Sequence, residues 1–451
     1  MRQTLDANAA PSGAPAIYRN PAYPYWVLAL LFLGYISNTM DRAILGVLLE
    51  PIRQEFNATD TQLGLLGGIA FAFFYSTLGI PIAALADRSN RCNVLSLCIA
   101  VWSAMTTLCG AATNFFMLLF ARVGTAIGEA GGSPPSHAMI SDYFPLKKRA
   151  TALSIYALGV PLGTMLGNFL GGRLSDLIGW RGAFITVGLI GLPLTLLIRC
   201  TVREPPRGYA DRVSGNVPPP SQPAPDLWTT FRYLWQRTSF RHLTLAAALH
   251  SYVWYSGSNW NASFFIRSHG MNTSAAGDTI AQLALIGVIG TFLGGFLSDW
   301  LSVRFGDRRW FMWVPGTGCL VMVPFQFGSY LSPTLSSALP SFVVMIILAS
   351  LFFGPSFAMT QALAPLRMRA VATSLLLFMQ TIIGMGLGPI TVGKISDHLK
   401  PEYGNQSLAY GLVIVGLLNV WAAVHYFWGA RRLRDDLATT EALAADQIAK
   451  T

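Results

Sequence analysis

Apolar residues recur along this chain in runs of about twenty, separated by short segments rich in Gly, Pro and charge; runs of that length cross a hydrocarbon core about 30 Å thick as α-helices. The pattern predicts twelve such helices, over residues 25–49, 62–86, 94–113, 116–142, 150–174, 182–202, 240–266, 276–301, 310–331, 338–363, 370–394 and 406–429. The expected fold class is therefore all-α integral membrane.

Composition agrees: with 53% hydrophobic and 12% charged residues, the chain carries about half the charge of a soluble domain. Lys and Arg favour one set of connections, with twenty against six on the opposite side, which predicts a cytoplasmic location for both termini. The net charge of +10 follows this topology signal and gives no reason to expect nucleic acid as a partner. Residues 1–24 hold Pro11, Pro15, Pro21 and Pro24 and lack the pattern of a signal peptide, so the first helix is expected to act as its own uncleaved insertion signal. The five cysteines show no metal or disulfide spacing.

Four predicted helices end on nearly the same string: Ala84-Leu85-Ala86-Asp87, Arg173-Leu174-Ser175-Asp176, Phe296-Leu297-Ser298-Asp299 and Lys394-Ile395-Ser396-Asp397. These close the second, fifth, eighth and eleventh helices, so the chain reads as four related three-helix units. Three crossings reverse direction, hence adjacent units are inverted while the two halves run parallel, an arrangement typical of transporters. Pro145–Ser154 likewise matches Pro365–Ser374 between halves. The domain reading is a tail at 1–24, a six-helix bundle at 25–202, a linker at 203–239, a second bundle at 240–430 and a tail at 431–451. The Pro-rich linker reads as a plain spacer, with Trp228 and Phe231 the alternative of a surface-lying segment.

Gly79 with Ala83–Arg91 resembles the loop motif between the second and third helices of the major facilitator superfamily, two of whose glycines are here Ala83 and Asn90. Gly163, Gly167, Gly171 and Gly172 resemble that superfamily's antiporter motif, with Asn168 where Pro is usual, and Gly384, Gly388 and Pro389 repeat the pattern in the eleventh helix. Small residues four apart let helices approach closely and slide, although static packing explains each glycine equally well. A narrower resemblance is to the spinster family, carried by Asn38–Arg42, Asp87–Arg91 and Arg122–Ala130 and best in the first half. It implies the major facilitator fold, two pseudo-symmetric bundles, and an amphipathic lipid substrate of the lysophospholipid or sphingoid type, often moved with protons. The loop resemblance implies a cytoplasmic gate at Asp87, Arg88 and Arg91, with Asp87 meeting the amino end of the eleventh helix.

Ionisable groups inside a bilayer usually face a cavity and serve function. Four stand out: Asp41 and Arg42 in the first helix, Arg122 and Glu129 in the fourth, with formal charges that cancel. Asn38, Asp41 and Arg42 fall on one stripe, as do Arg122 and Glu129 seven residues apart, continued by Ser136 and His137. Asp41 and Glu129 are the candidate proton carriers, because burial favours a neutral carboxyl and a neighbouring Arg an ionised one. Arg42, Arg122 and Asn38 are the candidate charge partners and headgroup contacts, and Arg42 is expected to counter Asp41. A permanent ion-pair strut between the two helices is the alternative. In the second half His250 is the one embedded ionisable candidate, read as a hydrogen-bonded packing residue, and Trp254, Tyr255, Phe353, Phe357 and Phe378 are candidates for an apolar wall.

The leading functional reading is a proton-coupled secondary transporter of an amphipathic lipid, working by alternating access as a monomer in a cell membrane, the bacterial inner membrane. A transporter of a small organic anion and a non-transporting sensor are the alternatives. No phosphate loop, metal cluster or triad appears, so neither an enzyme, a resident cofactor nor an ATP-driven pump is expected.

Overall fold

The computed structural model describes residues 20–210 and 227–449. Most of the expected amino-terminal tail and the Pro-rich centre of the linker lie outside the described residues. Lipid offers no partner to a free backbone N–H or C=O, so each crossing must close its hydrogen bonds within itself. Accordingly the described chain is helices joined by short turns.

The first bundle comprises α1 (Tyr23–Phe56), α2 (Asp60–Arg88), α3 (Arg91–Gly110), α4 (Phe115–Tyr143), α5 (146–178) and α6 (180–201). The second comprises α7 (Thr238–His269), α8 (Thr273–Phe305), α9 (Trp310–Tyr330), α10 (Leu335–Ala362), α11 (369–403) and α12 (407–449). A separate linker helix, Leu227–Gln236, precedes α7. The last crossing of each bundle turns back sharply, at Gly179 (φ 76°) and Gly404 (φ 52°), where a backbone with positive φ suits a residue without Cβ. Of the twelve crossings α7 is the exception, long enough to span but too polar to pass on hydropathy. Asn90, Asn114 and Asn272 start α3, α4 and α8 by accepting from the backbone N–H three residues on, at 2.9 Å each.

Glycines set the packing inside each bundle. A Cβ at Gly163 would lie 1.9 Å from Thr39 Oγ1, at Gly167 2.6 Å from Met40 O and at Gly171 2.7 Å from Ile44 Cγ1, so α5 lies directly on α1. Gly384 and Gly388 bring α11 equally close to α7, at 2.7 Å from Ser251 Cβ and 2.5 Å from Tyr252 O. Close backbone contact of this kind replaces the hydrophobic drive that lipid does not supply.

Two boundaries differ from expectation. The segment read as a tail from residue 431 continues α12, because Leu433 and Leu437, one turn apart, bury into the second bundle. The linker helix is more than a spacer: Leu234 buries into the same core, while Trp228, Phe231 and Trp235 stack along its flank with centroids 5.5 and 5.3 Å apart.

The carboxylate of Asp307, between α8 and α9, ties that turn to α12. It accepts from Arg309 N at 3.0 Å, Arg309 Nε at 2.9 Å and Arg434 Nη2 at 2.8 Å. Burial pushes this carboxyl up, but the Arg309 and Arg434 hydrogen bonds outweigh it and hold the group at about 2, below its ordinary 3.8. A depressed carboxylate stabilises the fold above its ordinary value and loses that contribution as pH falls through its folded value. Asp307→Asn is therefore expected to lower the melting temperature of the detergent-solubilised protein at pH 7. The deficit should persist undiminished down to about pH 5, above the range in which the unfolded carboxyl titrates; a deficit that shrinks between pH 7 and 5 would overturn this assignment.

Candidate functional site

The four embedded charges come together where α1, α2 and α4 meet. Arg42 forms an ion pair with Glu129, joining α1 to α4. Its guanidinium also lies over the rings of Tyr75 (4.4 Å) and Phe71 (5.3 Å) from α2. Arg122 faces the same Phe71 ring at 5.2 Å and donates from Nη1 to the backbone O of Asp41 at 3.3 Å. Asp41, Arg122 and Glu129 are each 1% exposed, whereas the Arg42 side chain is 28% exposed, so Arg42 is the member of the group that meets the space between the bundles.

The expected pairing of Arg42 with Asp41 is corrected. Consecutive helical residues point about 100° apart, and Arg42 turns to Glu129 on the neighbouring helix instead. Oδ1 of Asp41 and Oε1 of Glu129 are buried without a protein partner, and so are Nε of Arg122 and Nδ2 of Asn38.

An aromatic surface continues from this cluster into the second bundle. Tyr255 of α7 packs with Phe71 and Tyr75, beside Met385 of α11. Trp254 stands edge-on to Tyr255 at 4.9 Å and to Phe353 of α10 at 5.9 Å, and Phe357 lies in the same cluster as Phe353. Phe378 is exposed on α11 and is not among these ring contacts. His250 is fully packed, its ring nitrogens 2.8 Å from Asn419 Oδ1 and from Ala349 O.

The two bundles are latched at the face opposite the Lys- and Arg-rich loops. Arg267 of α7 donates to Glu50 of α1 at 2.7 Å and grips both carboxylate oxygens of Asp60 of α2, at 2.7 and 2.8 Å. Asp397 of α11 accepts from the backbone N–H groups of Asp60 and Thr61 at 2.9 and 2.8 Å, sitting at the positive end of α2. Its counterpart Asp176 of α5 accepts from Ser274 N of α8 at 3.0 Å. Glycines close the same seam: a Cβ at Gly64 would lie 2.5 Å from Pro389 O, and at Gly393 2.3 Å from Asp60 O.

Sequence reasoning missed this latch. The signal within reach was Thr59 with Gln62, a capping box that starts α2 and presents Asp60 at its first turn. In the sequence Asp397 stands out only as a repeat position, and Arg267 is one of the six basic residues on the side opposite the Lys- and Arg-rich connections.

At the basic face Asp87 and Arg88 are exposed, together with Asp299, the third repeat position. Arg91 stands apart from them: it is buried, and pairs at 2.6 Å with both Asp142 and Glu204, tying α3 to the end of α4 and to the segment after α6.

Two bundles of six helices around a charged and aromatic centre, latched at one face, define a secondary-transporter fold. The family profile of the Major Facilitator Superfamily matches residues 31–389. The chain is 30% identical over 424 residues to an MFS-type efflux pump of Mycolicibacterium smegmatis (strain ATCC 700084 / mc(2)155), covering 92% of this chain and 95% of that protein. It is 27% identical to the sphingosine-1-phosphate transporter SPNS2 of Danio rerio over 92% of this chain and 85% of that one. A crystal structure of a bacterial homolog to the human lysosomal transporter Spinster, in an inward-facing and unoccupied conformation, superposes with a TM-score of 0.85 at 33% identity, over 92% of this chain and 99% of that one. The chain belongs to the major facilitator superfamily, as a spinster-like member. It is a membrane transporter and not an enzyme.

Removing one member of the buried latch leaves an uncompensated charge, a loss of about 3 kcal/mol that corresponds to roughly a hundredfold change in an equilibrium. Asp60→Asn is accordingly expected to shift the population toward opening at the latched face. Increased modification of a single cysteine that replaces Leu63 or Val392, both fully buried beside this seam, measures it, and unchanged modification would show that the glycine seam holds without the ion pairs.

Proposed function

We propose that this transporter moves an amphipathic lipid by alternating access, driven by protons, with its basic face and both termini in the cytoplasm of a bacterial cell and its single chain as the working unit. The observation that carries the reading is Arg42, partly exposed between the bundles, ion-paired to Glu129 and bordered by the Tyr75, Tyr255, Trp254 and Phe353 surface. An anionic head suits the guanidinium and an acyl tail suits the rings. The resemblance to a sphingosine-1-phosphate transporter supports a phosphate-bearing lipid.

In this reading Glu129 is the exchange partner of the headgroup. While ionised it holds Arg42; once protonated it releases Arg42, which cannot give up its own charge and takes a phosphate instead. Asp41, buried beside Arg122 with one oxygen unpartnered, is the second proton site. Low pH therefore favours the lipid-bound form. Arg122, bonded to the backbone O of Asp41, supplies a second positive charge beside the carboxylates, and Asn38 leaves a free amide donor for the headgroup.

The inverted repeat extends the gate from one face to the other. Asp397 caps α2 and Asp176 faces the start of α8. Exchanging inverted units turns these contacts into Asp87 on the amino end of α11 and Asp299 on that of α5, at the cytoplasmic face and in the outward-facing state. The exposure of Asp87 and Asp299 fits an inward-facing protein.

Three measurements test this. In proteoliposomes, Glu129→Gln and Asp41→Asn are expected to abolish pH-gradient-driven flux of lysolipids while folded protein remains in the membrane; driven flux retained by both would remove these groups from coupling, and loss of folded protein would make them a strut. Arg42→Lys keeps charge but loses the planar fork, so flux of phosphate-bearing lipids should fall about tenfold and that of lipids without phosphate should not. Equal loss for both, or transport of small organic anions in place of lipids, would overturn the headgroup assignment. Asp87→Ala should raise labelling of cysteines in the cytoplasmic opening, and unchanged labelling would argue against the gate.

A further inference from the structure

Two histidines, His242 of α7 and His425 of α12, meet on the outer flank of the second bundle near the basic face. Both fall within about one turn of the basic-face ends of the apolar runs 240–266 and 406–429, the depth at which a bilayer passes from hydrocarbon to headgroups. Both are partly exposed, and the apolar side chains beside them on α12, Trp421, Val424 and Trp428, are exposed as well. This flank therefore faces lipid. A pair of imidazoles in that setting needs an account of where its polar atoms find partners.

One nitrogen of each ring is spoken for: Nδ1 of His242 lies 2.7 Å from Nδ1 of His425. The His242 ring stacks on Trp428, with centroids 5.6 Å apart and planes 10° apart, and the His425 ring on Trp421 at 5.9 Å and 28°. Gly429 admits this packing, since a Cβ there would lie 3.1 Å from His242 Cβ. A hydrogen bond between two Nδ1 atoms requires that one carry hydrogen and the other not. The donating ring then has a bare Nε2, and the accepting ring an Nε2–H. Neither Nε2 has a partner among the described residues and neither is buried, so both open onto the flank. Hydrocarbon offers them nothing, and a polar group left unpaired there is costly. The charges around the pair favour an anion. Arg241 adjoins His242 and donates from Nη2 to Thr238 Oγ1 at 3.4 Å, and exposed Arg431 lies 6.0 Å from the Trp428 ring. At the start of α7, Arg237 lies over Tyr233 of the linker helix, and Arg309 and Arg434 are held by Asp307. The carboxylates on this side of α12 are engaged, Asp435 with Arg432 at 3.6 Å and Asp436 with Ser239 N at 2.8 Å.

We propose that the His242–His425 pair binds the phosphate of an anionic phospholipid in the leaflet at the basic face, at a site apart from Arg42 and independent of the transported substrate. Uptake of one proton leaves the Nδ1–H···Nδ1 bond intact and puts hydrogen on both Nε2 atoms. The pair then carries one positive charge and two outward donors to phosphate oxygens. Lower pH therefore tightens binding. The occupant is a lipid and not aqueous phosphate, because Trp421, Val424 and Trp428 surround the pair with apolar surface that acyl chains cover, and the two indoles sit where interfacial tryptophans gather.

Native mass spectrometry of the detergent-solubilised full-length protein, titrated separately with phosphatidylglycerol and phosphatidylcholine, tests this. The unmodified protein is expected to bind phosphatidylglycerol about tenfold more tightly than His242→Gln or His425→Gln does, with no such difference for phosphatidylcholine. A lipid held at Arg42 is common to all three proteins, so the difference reads the flank alone, whatever the transported substrate proves to be. Between about pH 6 and about pH 8, phosphatidylglycerol binding should weaken in the unmodified protein and stay constant in both variants. Should neither variant remain monodisperse, the pH series and the comparison of the two lipids in the unmodified protein decide. Equal affinity of all three proteins for phosphatidylglycerol, or affinity in the unmodified protein that does not change with pH, would overturn the site. Displacement of the lipid by millimolar inorganic phosphate would give the pair to an aqueous anion and overturn the lipid assignment.

Discussion

A charge inside a bilayer must find a partner within the protein, and in this chain that constraint organises the first bundle. Arg42, Arg122, Asp41 and Glu129 balance formally, yet only one pair is closed, Arg42 with Glu129. Arg122 is held instead by a backbone carbonyl and an aromatic face. A fully closed set of two ion pairs would make a static strut. One closed pair beside an incompletely satisfied one leaves a guanidinium with a choice of partners, which is what a coupling device requires.

The same economy appears at the latch. Glu50, Asp60, Arg267 and Asp397 occupy the opposite-face half of the seam, where Gly64, Gly386 and Gly393 let α2 and α11 touch. Charge supplies the hold and glycine the proximity. Because the second helix of each unit ends on the same Asp, a contact made at one face has a sequence counterpart at the other. Exposed Asp87 and Asp299 beside engaged Asp176 and Asp397 express that asymmetry in a single structure.

The periodicity of apolar residues made the twelve crossings and the two bundles legible in sequence, since length and hydropathy report on lipid directly. Only α7 is markedly polar, and its length and place in the repeat compensated. The central charges were legible too, being rare in such runs. What escaped was partner choice. Nothing local distinguishes Arg42 with Asp41 from Arg42 with Glu129, because the answer depends on how α4 is rotated against α1, and that rotation is set by Gly128 and Gly132 meeting Trp102 and Asn38. The latch escaped for a related reason: Arg267 and Asp60 lie 207 residues apart and each looks like an ordinary helix-end charge. Arg91 was assigned to the gate with its motif neighbours, whereas Asp142 and Glu204, remote in sequence, draw it into the first bundle.

Division of labour between the halves follows from these placements. The first bundle holds the four embedded charges, Asp41, Arg42, Arg122 and Glu129. The second bundle contributes rings, and its one embedded imidazole, His250, is consumed by Asn419 and Ala349. Arg42 lies where the two regions meet: ion-paired to Glu129 of α4 and lying over the Tyr75 and Phe71 rings of α2, it borders the Tyr255 ring that the second bundle adds to that cluster.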